Sequence, residues 1–288
     1  MLDQRIIDLY DEYTHKPLTR KEFLQRLTHL VGSTAMAMSV LPLLEPVVSG
    51  IRPSGSSDGL FTEYITWPGA NGEMKAYVAR PETERPYPAV VVIHENRGLN
   101  AHIEDVTRRA ARAGFLAVAP NALAPLGGTP ADTDEARSMF SQLNAGETRQ
   151  NFLSVFDTLA IRPDCNGRFG CVGFCWGGAM ANTLAVHMPT LRAAVAFYGR
   201  QPNAEDVPKI KAAVQLHYAG IDERVNTGMA AYEEALKSAG TTYEQYLYEG
   251  VNHAFHNDTS AARYNETAAR LAWERTLAFF EKHLMGDR

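Results

Sequence analysis

The residues most able to do chemistry sit in Gly173-Phe174-Cys175-Trp176-Gly177. A G-x-C-x-G pattern after an apolar run and before a helix-forming stretch is the nucleophile-elbow pattern with cysteine in the place of serine. Glycines on both sides let the chain turn sharply without side-chain collisions, and Gly178 leaves room for close helix–strand packing. A thiol at that corner lies at a helix N-terminus, where the dipole favours thiolate. The bland alternative is a buried core cysteine at an ordinary strand–helix junction. A thiol nucleophile needs a base, and the base needs an orienting group. In elbow hydrolases these follow as acid, then histidine. Asp222, in Tyr218-Ala219-Gly220-Ile221-Asp222, supplies the acid, with Glu223 as reserve. His253, in Gly250-Val251-Asn252-His253-Ala254-Phe255, supplies the base, and His256 is the nearby decoy.

Positioning these groups requires a frame of strands alternating with helices. Phe61–Thr66 and Met74–Ala79 flank Pro68-Gly69-Ala70-Asn71-Gly72 and read as an antiparallel hairpin. Pro88–His94 and Phe115–Ala119 are short continuous apolar runs, as expected of strands buried on both faces. Further strands are expected over Arg168–Phe174, Leu191–Phe197, Ala213–Tyr218 and Tyr243–Tyr248. Helices are expected over Ile103–Ala113, Gly177–His187, Asn226–Ala239 and Ala261–Leu284, with one or two more in Ala131–Ile161 broken at Gly146. Strands separated by helices imply βαβ units. The expected architecture is an α/β-hydrolase fold: a mostly parallel central sheet flanked by helices, the antiparallel pair at one edge, and an N-terminal helical extension.

The chain has 288 residues, net charge -5, 45% hydrophobic and 21% charged residues. That is ordinary globular composition and carries no basic footprint for nucleic acid. Three cysteines, Cys165, Cys171 and Cys175, without CxxC spacing make neither a disulfide framework nor a structural zinc site. Cys171 reads as core packing. No metal and no cofactor are expected.

Residues 1–55 form an extension and linker, and 56–288 the hydrolase domain. Arg20-Lys21-Glu22-Phe23-Leu24, followed by the mainly apolar Leu27 to Leu44, is similar to a twin-arginine export signal with lysine replacing one arginine. Ala35-Met36-Ala37 would be its weak cleavage site, and Pro42 would end a helix. The other reading is an amphipathic arm packed on the domain. Localisation is accordingly read as cytoplasmic, with export the alternative. The apolar length is too short for a membrane span. Ile51–Gly59 reads as the linker.

Taken together, the elbow, Gly220-Ile221-Asp222, the histidine loop and His94-Glu95-Asn96-Arg97-Gly98-Leu99 resemble the dienelactone hydrolase family across roughly residues 60–288. The resemblance implies that Glu95 contacts the resting thiol. It also implies that the backbone N–H groups of Trp176 and Asn96 form the oxyanion hole. The family's lactone hydrolases hold the substrate carboxylate with arginines, and none stands in Pro120–Pro125 or at His256-Asn257. A neutral or differently charged ester is therefore expected, with Arg97, Arg200 and Tyr198 as candidate substrate contacts. The expected function is hydrolysis of a carboxylic ester or lactone, a small-molecule substrate, through a Cys-His-Asp triad and a thioester. Another electrophile (thioester, phosphotriester or peptide) and a non-catalytic ligand-binding or redox-sensing protein are the alternatives. A homo-oligomer is compatible with the sequence.

Overall fold

The structure is a computed structural model that describes residues 2–45 and 59–286. All but the last residue of the expected linker lies outside the described residues.

Among the described residues eight strands form: β1 (Leu60–Pro68), β2 (Glu73–Pro81), β3 (Tyr87–Ile93), β4 (Leu116–Pro120), β5 (Cys165–Phe174), β6 (Ala193–Phe197), β7 (Ala213–Ala219) and β8 (Tyr243–Tyr248). They form one sheet in the order β1-β2-β4-β3-β5-β6-β7-β8. β1 and β2 pair antiparallel, β2 joins β4 antiparallel, and the remaining pairs are parallel. The expected hairpin thus lies at one edge, and the parallel strands follow the α/β-hydrolase layout.

Parallel strands are buried on both faces because their crossovers lay helices over each side. Successive residues of β3 accordingly enter different cores. Val91 and Ile93 pack with Phe152, Val155 and Leu184. Val90 and Val92 pack with Val106, Ala110, Ala272 and Phe280. The first group covers one face through α6 (Ala145–Ala160) and α7 (Trp176–His187). The second covers the other through α4 (Ala101–Arg112) and α10 (Glu266–Phe280).

Three helix boundaries differ from expectation, each for a local reason. The break within 131–161 falls between α5 (Thr133–Phe140) and α6, not at Gly146. Asn144 caps α6 by accepting from the N–H groups of Gly146 and Glu147, so the glycine lies in the first turn. The segment 223–239 splits into α8 (Glu223–Asn226) and α9 (Met229–Ala239), because Asp222 starts a separate short helix as its cap. The closing helix begins at Glu266, capped by Asn265, and ends in a π turn over Glu281–Met285.

The N-terminal residues form α1 (Gln4–His15), α2 (Arg20–Val31) and α3 (Thr34–Leu44). Their apolar faces make a third core, with Tyr10, Tyr13, Phe23, Leu27 and Leu44 fully buried. A capping box between Thr19 and Glu22 starts α2. The apolar run does not continue as one helix, since Gly32 in the left-handed region ends α2 and Ser33 caps α3. Pro42, expected to stop a helix, lies inside α3 near its end. The Arg20 guanidinium pairs with Glu45 at 2.8 Å and with Asp134 of α5, tying the arm to the hydrolase body. Among the described residues no single helix is long and apolar enough to cross a membrane.

Candidate active site

β5 ends at Phe174, and Cys175 turns the chain into α7 with φ 55° and ψ −113°. A non-glycine residue there is strained by about 1–3 kcal/mol, a cost borne only where the surroundings over-determine it. They do so by close backbone contact. A Cβ on Gly173 would stand 1.8 Å from the Gly177 carbonyl oxygen, and one on Gly177 would stand 2.3 Å from that of Ile93. Both elbow glycines are therefore required for α7 to come this close to β3 and β5.

The loop after β7 delivers Asp222, which caps α8 through Oδ1 to the Val225 N–H at 3.2 Å. Its other oxygen lies 2.5 Å from His253 Nδ1. Burial raises the Asp222 carboxyl, but the His253 charge outweighs it and holds the group below its usual range. With Nδ1–H given to the carboxylate, His253 Nε2 is buried and has no hydrogen-bond partner among the described residues. A ring nitrogen of His253, a nitrogen of His15 and the Cys175 sulfur lie within 4.8 Å of one another. No fourth side chain of ligand type joins this group among the described residues, so it lacks the closed tetrahedral shell of a structural zinc site.

Burial pushes the Cys175 thiol up, yet the nearby charges of His253 and His15 and the hydrogen bond from His15 prevail and bring it down to about 6. His253 shows the converse. Burial disfavours its charged form, but Asp11, the Cys175 thiolate and Asp222 raise it to about 10. Thiolate and imidazolium thus support each other.

His15, at the end of α1, makes the hydrogen bond to the sulfur, Nε2 to Sγ at 3.2 Å. Its ring meets that of His253 edge-on with centroids 4.7 Å apart. Sequence reasoning missed His15, whose only local signal is an aspartate four residues earlier on the same helix face, Asp11.

Glu95 is placed near the thiol but engaged elsewhere. Oε1 accepts from the Tyr198 hydroxyl at 3.3 Å and Oε2 from the Asn257 amide at 2.8 Å. Among the described hydrogen bonds none joins Glu95 to Cys175, so the sulfur's expected partner is replaced by His15. Asn257, at a position where the family resemblance implies an arginine, holds Glu95. Asn96 lies beside the thiol, and its side-chain amide donates to the Thr14 carbonyl at 2.8 Å. Trp176, the first residue of α7, stacks on His94 with centroids 5.5 Å apart. His94 is buried, which lowers it to about 4. As a neutral ring it bridges the Glu95 carbonyl and the Ala122 N–H, fixing the loop after β3 against the loop after β4.

Arg97 does not present its guanidinium to the cleft, because Nη1 donates to the Thr133 carbonyl at 2.5 Å and lies 3.7 Å from Asp134. Tyr198, with φ 39° at the end of β6, has its ring 4.9 Å from that of His253. The decoy His256 is buried against Phe174, 4.9 Å between centroids, and burial holds it well below its usual range. Cys171 lies fully inside the core, as expected. A cleft of about 720 Å³ opens beside the sulfur, lined by Cys175, Trp176, Phe140, Tyr198, Arg200 and Arg224, with His15 to Thr19 as one wall. That volume suits a small molecule.

Strand order, elbow and loop placement define an α/β-hydrolase. The dienelactone hydrolase family model matches residues 74–284, and the chain belongs to that family. An Escherichia coli O157:H7 protein provisionally named a carboxymethylenebutenolidase is 30% identical over 267 residues, 87% of this chain and 97% of that one. A Bradyrhizobium protein provisionally named a 2-oxo-3-(5-oxofuran-2-ylidene)propanoate lactonase is 31% identical over 240 residues, 76% of this chain and 94% of that one. The crystal structure of a Klebsiella pneumoniae protein provisionally named a dienelactone hydrolase superposes with TM-score 0.71 at 28% identity. It covers 78% of this chain and all of the other. The chain is accordingly an enzyme of the ester-hydrolase type.

Proposed function

We propose that the protein hydrolyses a carboxylic ester or lactone through a thioester on Cys175, with His253 and Asp222 completing the triad. The observation that carries this reading is the buried, low-lying thiol on a strained elbow, beside an imidazole whose other nitrogen is fixed on a carboxylate. The Cys175 thiolate attacks the carbonyl carbon. The oxyanion that forms is received by the Asn96 and Trp176 backbone N–H groups, each worth on the order of 3 kcal/mol if aligned. Collapse expels the alkoxide, which takes a proton from the His253 imidazolium. Neutral His253 then removes a proton from water, the hydroxide attacks the thioester, and thiolate leaves. The 31% identical relative named for a furanylidene lactone supports a lactone as readily as an open ester. The test is mass spectrometry of the enzyme quenched early in turnover of p-nitrophenyl acetate. An acetyl group on the Cys175 peptide is expected, and turnover without it overturns the reading.

The pH dependence follows in sign from the same pair. The thiol is lowered to about 6, so attacking thiolate accumulates as pH rises through that value. His253 is raised to about 10, so the proton needed by the leaving group is lost above it. We expect kcat/KM to climb on an acid limb near 6, stay level, and fall on a limb near 10. A single limb near 8.5, where an unperturbed thiol titrates, would contradict the pairing.

Of the two arginines expected to meet the substrate, Arg97 is engaged with Thr133 and Asp134. Arg200 lines the cleft, is exposed, and pairs with no acid among the described residues. It is the better candidate for an anionic substrate group. Arg200→Gln is expected to raise KM about tenfold for an ester carrying a carboxylate, the scale of one charged hydrogen bond, and to leave a neutral ester unaffected. Equal effects on both substrates would remove Arg200 from recognition.

A further inference from the structure

The N-terminal helix meets the catalytic sulfur through a built arrangement. His15 Nδ1 faces the Asp11 carbonyl oxygen at 2.8 Å, the Thr14 hydroxyl at 3.0 Å and the Asp11 carboxylate at 3.4 Å. A carbonyl oxygen only accepts, so Nδ1 carries a proton and Nε2 is the nitrogen left for the sulfur. This repeats on α1 what Asp222 does for His253: an oxygen holds Nδ1, and Nε2 is turned inward. Asp11 lies largely buried with Oδ1 lacking a hydrogen-bond partner among the described residues, a position tolerable only beside cationic groups. The end of α1 is also pinned where the ring needs it. Asn96 donates to the Thr14 carbonyl at 2.8 Å, and Arg137 donates to the Tyr13 carbonyl at 2.6 Å. At its other end Gln4 bonds the side chain of Asn252, next to His253, at 2.6 Å.

We infer that His15 is a catalytic residue, a second imidazole on the Cys175 sulfur that, with Asp11, holds it as thiolate in the resting enzyme. The inference rests on the reading of Cys175 as nucleophile and adds a division of labour. The thiol proton passes from Sγ to His15 Nε2, giving a thiolate that accepts Nε2–H. When the thiolate bonds to the acyl carbon its charge passes to the carbonyl oxygen, and His15 keeps its proton. His253 alone then gives a proton to the alkoxide and recovers one from water. When the thioester breaks, the returning thiolate meets the same His15 N–H. Each cycle consumes one ester and one water and yields one alcohol and one acid. The helical arm is thus part of the active site as well as a wall of its cleft.

The test uses the full chain carrying His15→Gln, His15→Ala or Asp11→Ala, compared with the parent in two measurements. The first is the rate of Cys175 alkylation by iodoacetamide against pH, read on the Cys175 peptide so that Cys165 and Cys171 do not contribute. The second is the burst rate of p-nitrophenol release from p-nitrophenyl acetate. Both His15 variants are expected to lose about fivefold in alkylation at pH 6, with the midpoint moving upward by about one unit. The burst should slow by about ten- to a hundredfold, and imidazole in the buffer should restore much of the loss in His15→Ala. Asp11→Ala, which retains the ring, should move both readouts in the same direction by less. Asp222, His253, Glu95, Tyr198, Arg224 and Arg263 also face this cluster and are unchanged in every variant. A shift shared by both His15 variants is therefore assigned to His15, whereas Asp11, whose carboxylate also raises His253, reports on both imidazoles. Parent-like alkylation profiles and bursts in both His15 variants overturn the inference, as does a loss that imidazole cannot restore in His15→Ala. If the parent shows no ester turnover, the proposed function fails on its own, and the alkylation profiles still decide whether His15 holds the thiolate.

Discussion

On the proposed function, Cys175→Ala is expected to lower kcat on p-nitrophenyl acetate by at least ~10⁴-fold, in line with removal of the nucleophile from a triad that acts as a unit. Whatever rate remains would come from the oxyanion donors and binding alone. The effect should be on chemistry and not on folding. Alanine carries the same Cβ as cysteine, so the strain of φ 55° is neither relieved nor increased. The lost sulfur leaves a small gap, and the expected stability change is within ~1 kcal/mol. The checks are kcat, a thermal melt and circular dichroism on the same preparation. An alanine variant that turns over like the parent would exclude a thioester route. A variant that is inactive because it no longer folds would show up in the melt.

Asp222→Asn is expected to lower kcat by about 10³–10⁴-fold, because an amide no longer enforces the imidazole tautomer with Nδ1–H toward residue 222. The substitution suits the question because Asp222 also caps α8 through the Val225 N–H. Asparagine caps helices as well as aspartate does, so the loop should keep its shape. The acid limb and the alkaline limb of the pH profile separate this role from mere packing. Asp222 is one of the carboxylates that raise His253, so its removal lowers His253 and moves the alkaline limb from about 10 toward neutral pH. Unchanged limbs together with near-parent turnover would point to another acid, with Glu223 the neighbour to examine.

Much of this frame was legible in the chain itself. Continuous apolar runs such as Ala89 to Ile93 suit strands covered on both faces, and Gly114 and Gly240 marked the ends of the helices between such strands. The elbow was readable because its glycines answer to local geometry: no other residue fits where a Cβ would strike the Gly177 or Ile93 carbonyl. Asp222 and His253 could be picked out as the proposed acid and base because they follow the elbow in chain order on the loops after β7 and β8, and the structure brings the two side chains together. Helix starts were less legible, since Asn144, Asp222 and Asn265 look like ordinary loop residues until packing fixes where the following helix begins.

Pairings between distant parts of the chain were decided by the tertiary structure. Nothing near Glu95 in sequence shows that its oxygens belong to Tyr198 and Asn257, or that Arg97 turns to Thr133. The apolar run Leu27 to Leu44 has the same composition whether it serves as an export signal or packs as an arm, because hydrophobicity is non-directional. His15 is the plainest case. It stands 160 residues from Cys175, on a helix whose periodicity describes only its own apolar face. Its proximity to the sulfur arises from how that helix docks, through contacts to Asn96, Arg137 and Asn252, which no local pattern encodes. Local sequence determines backbone conformation through sterics and hydrogen-bond satisfaction, whereas the meeting of two distant side chains depends on the packing of whole elements.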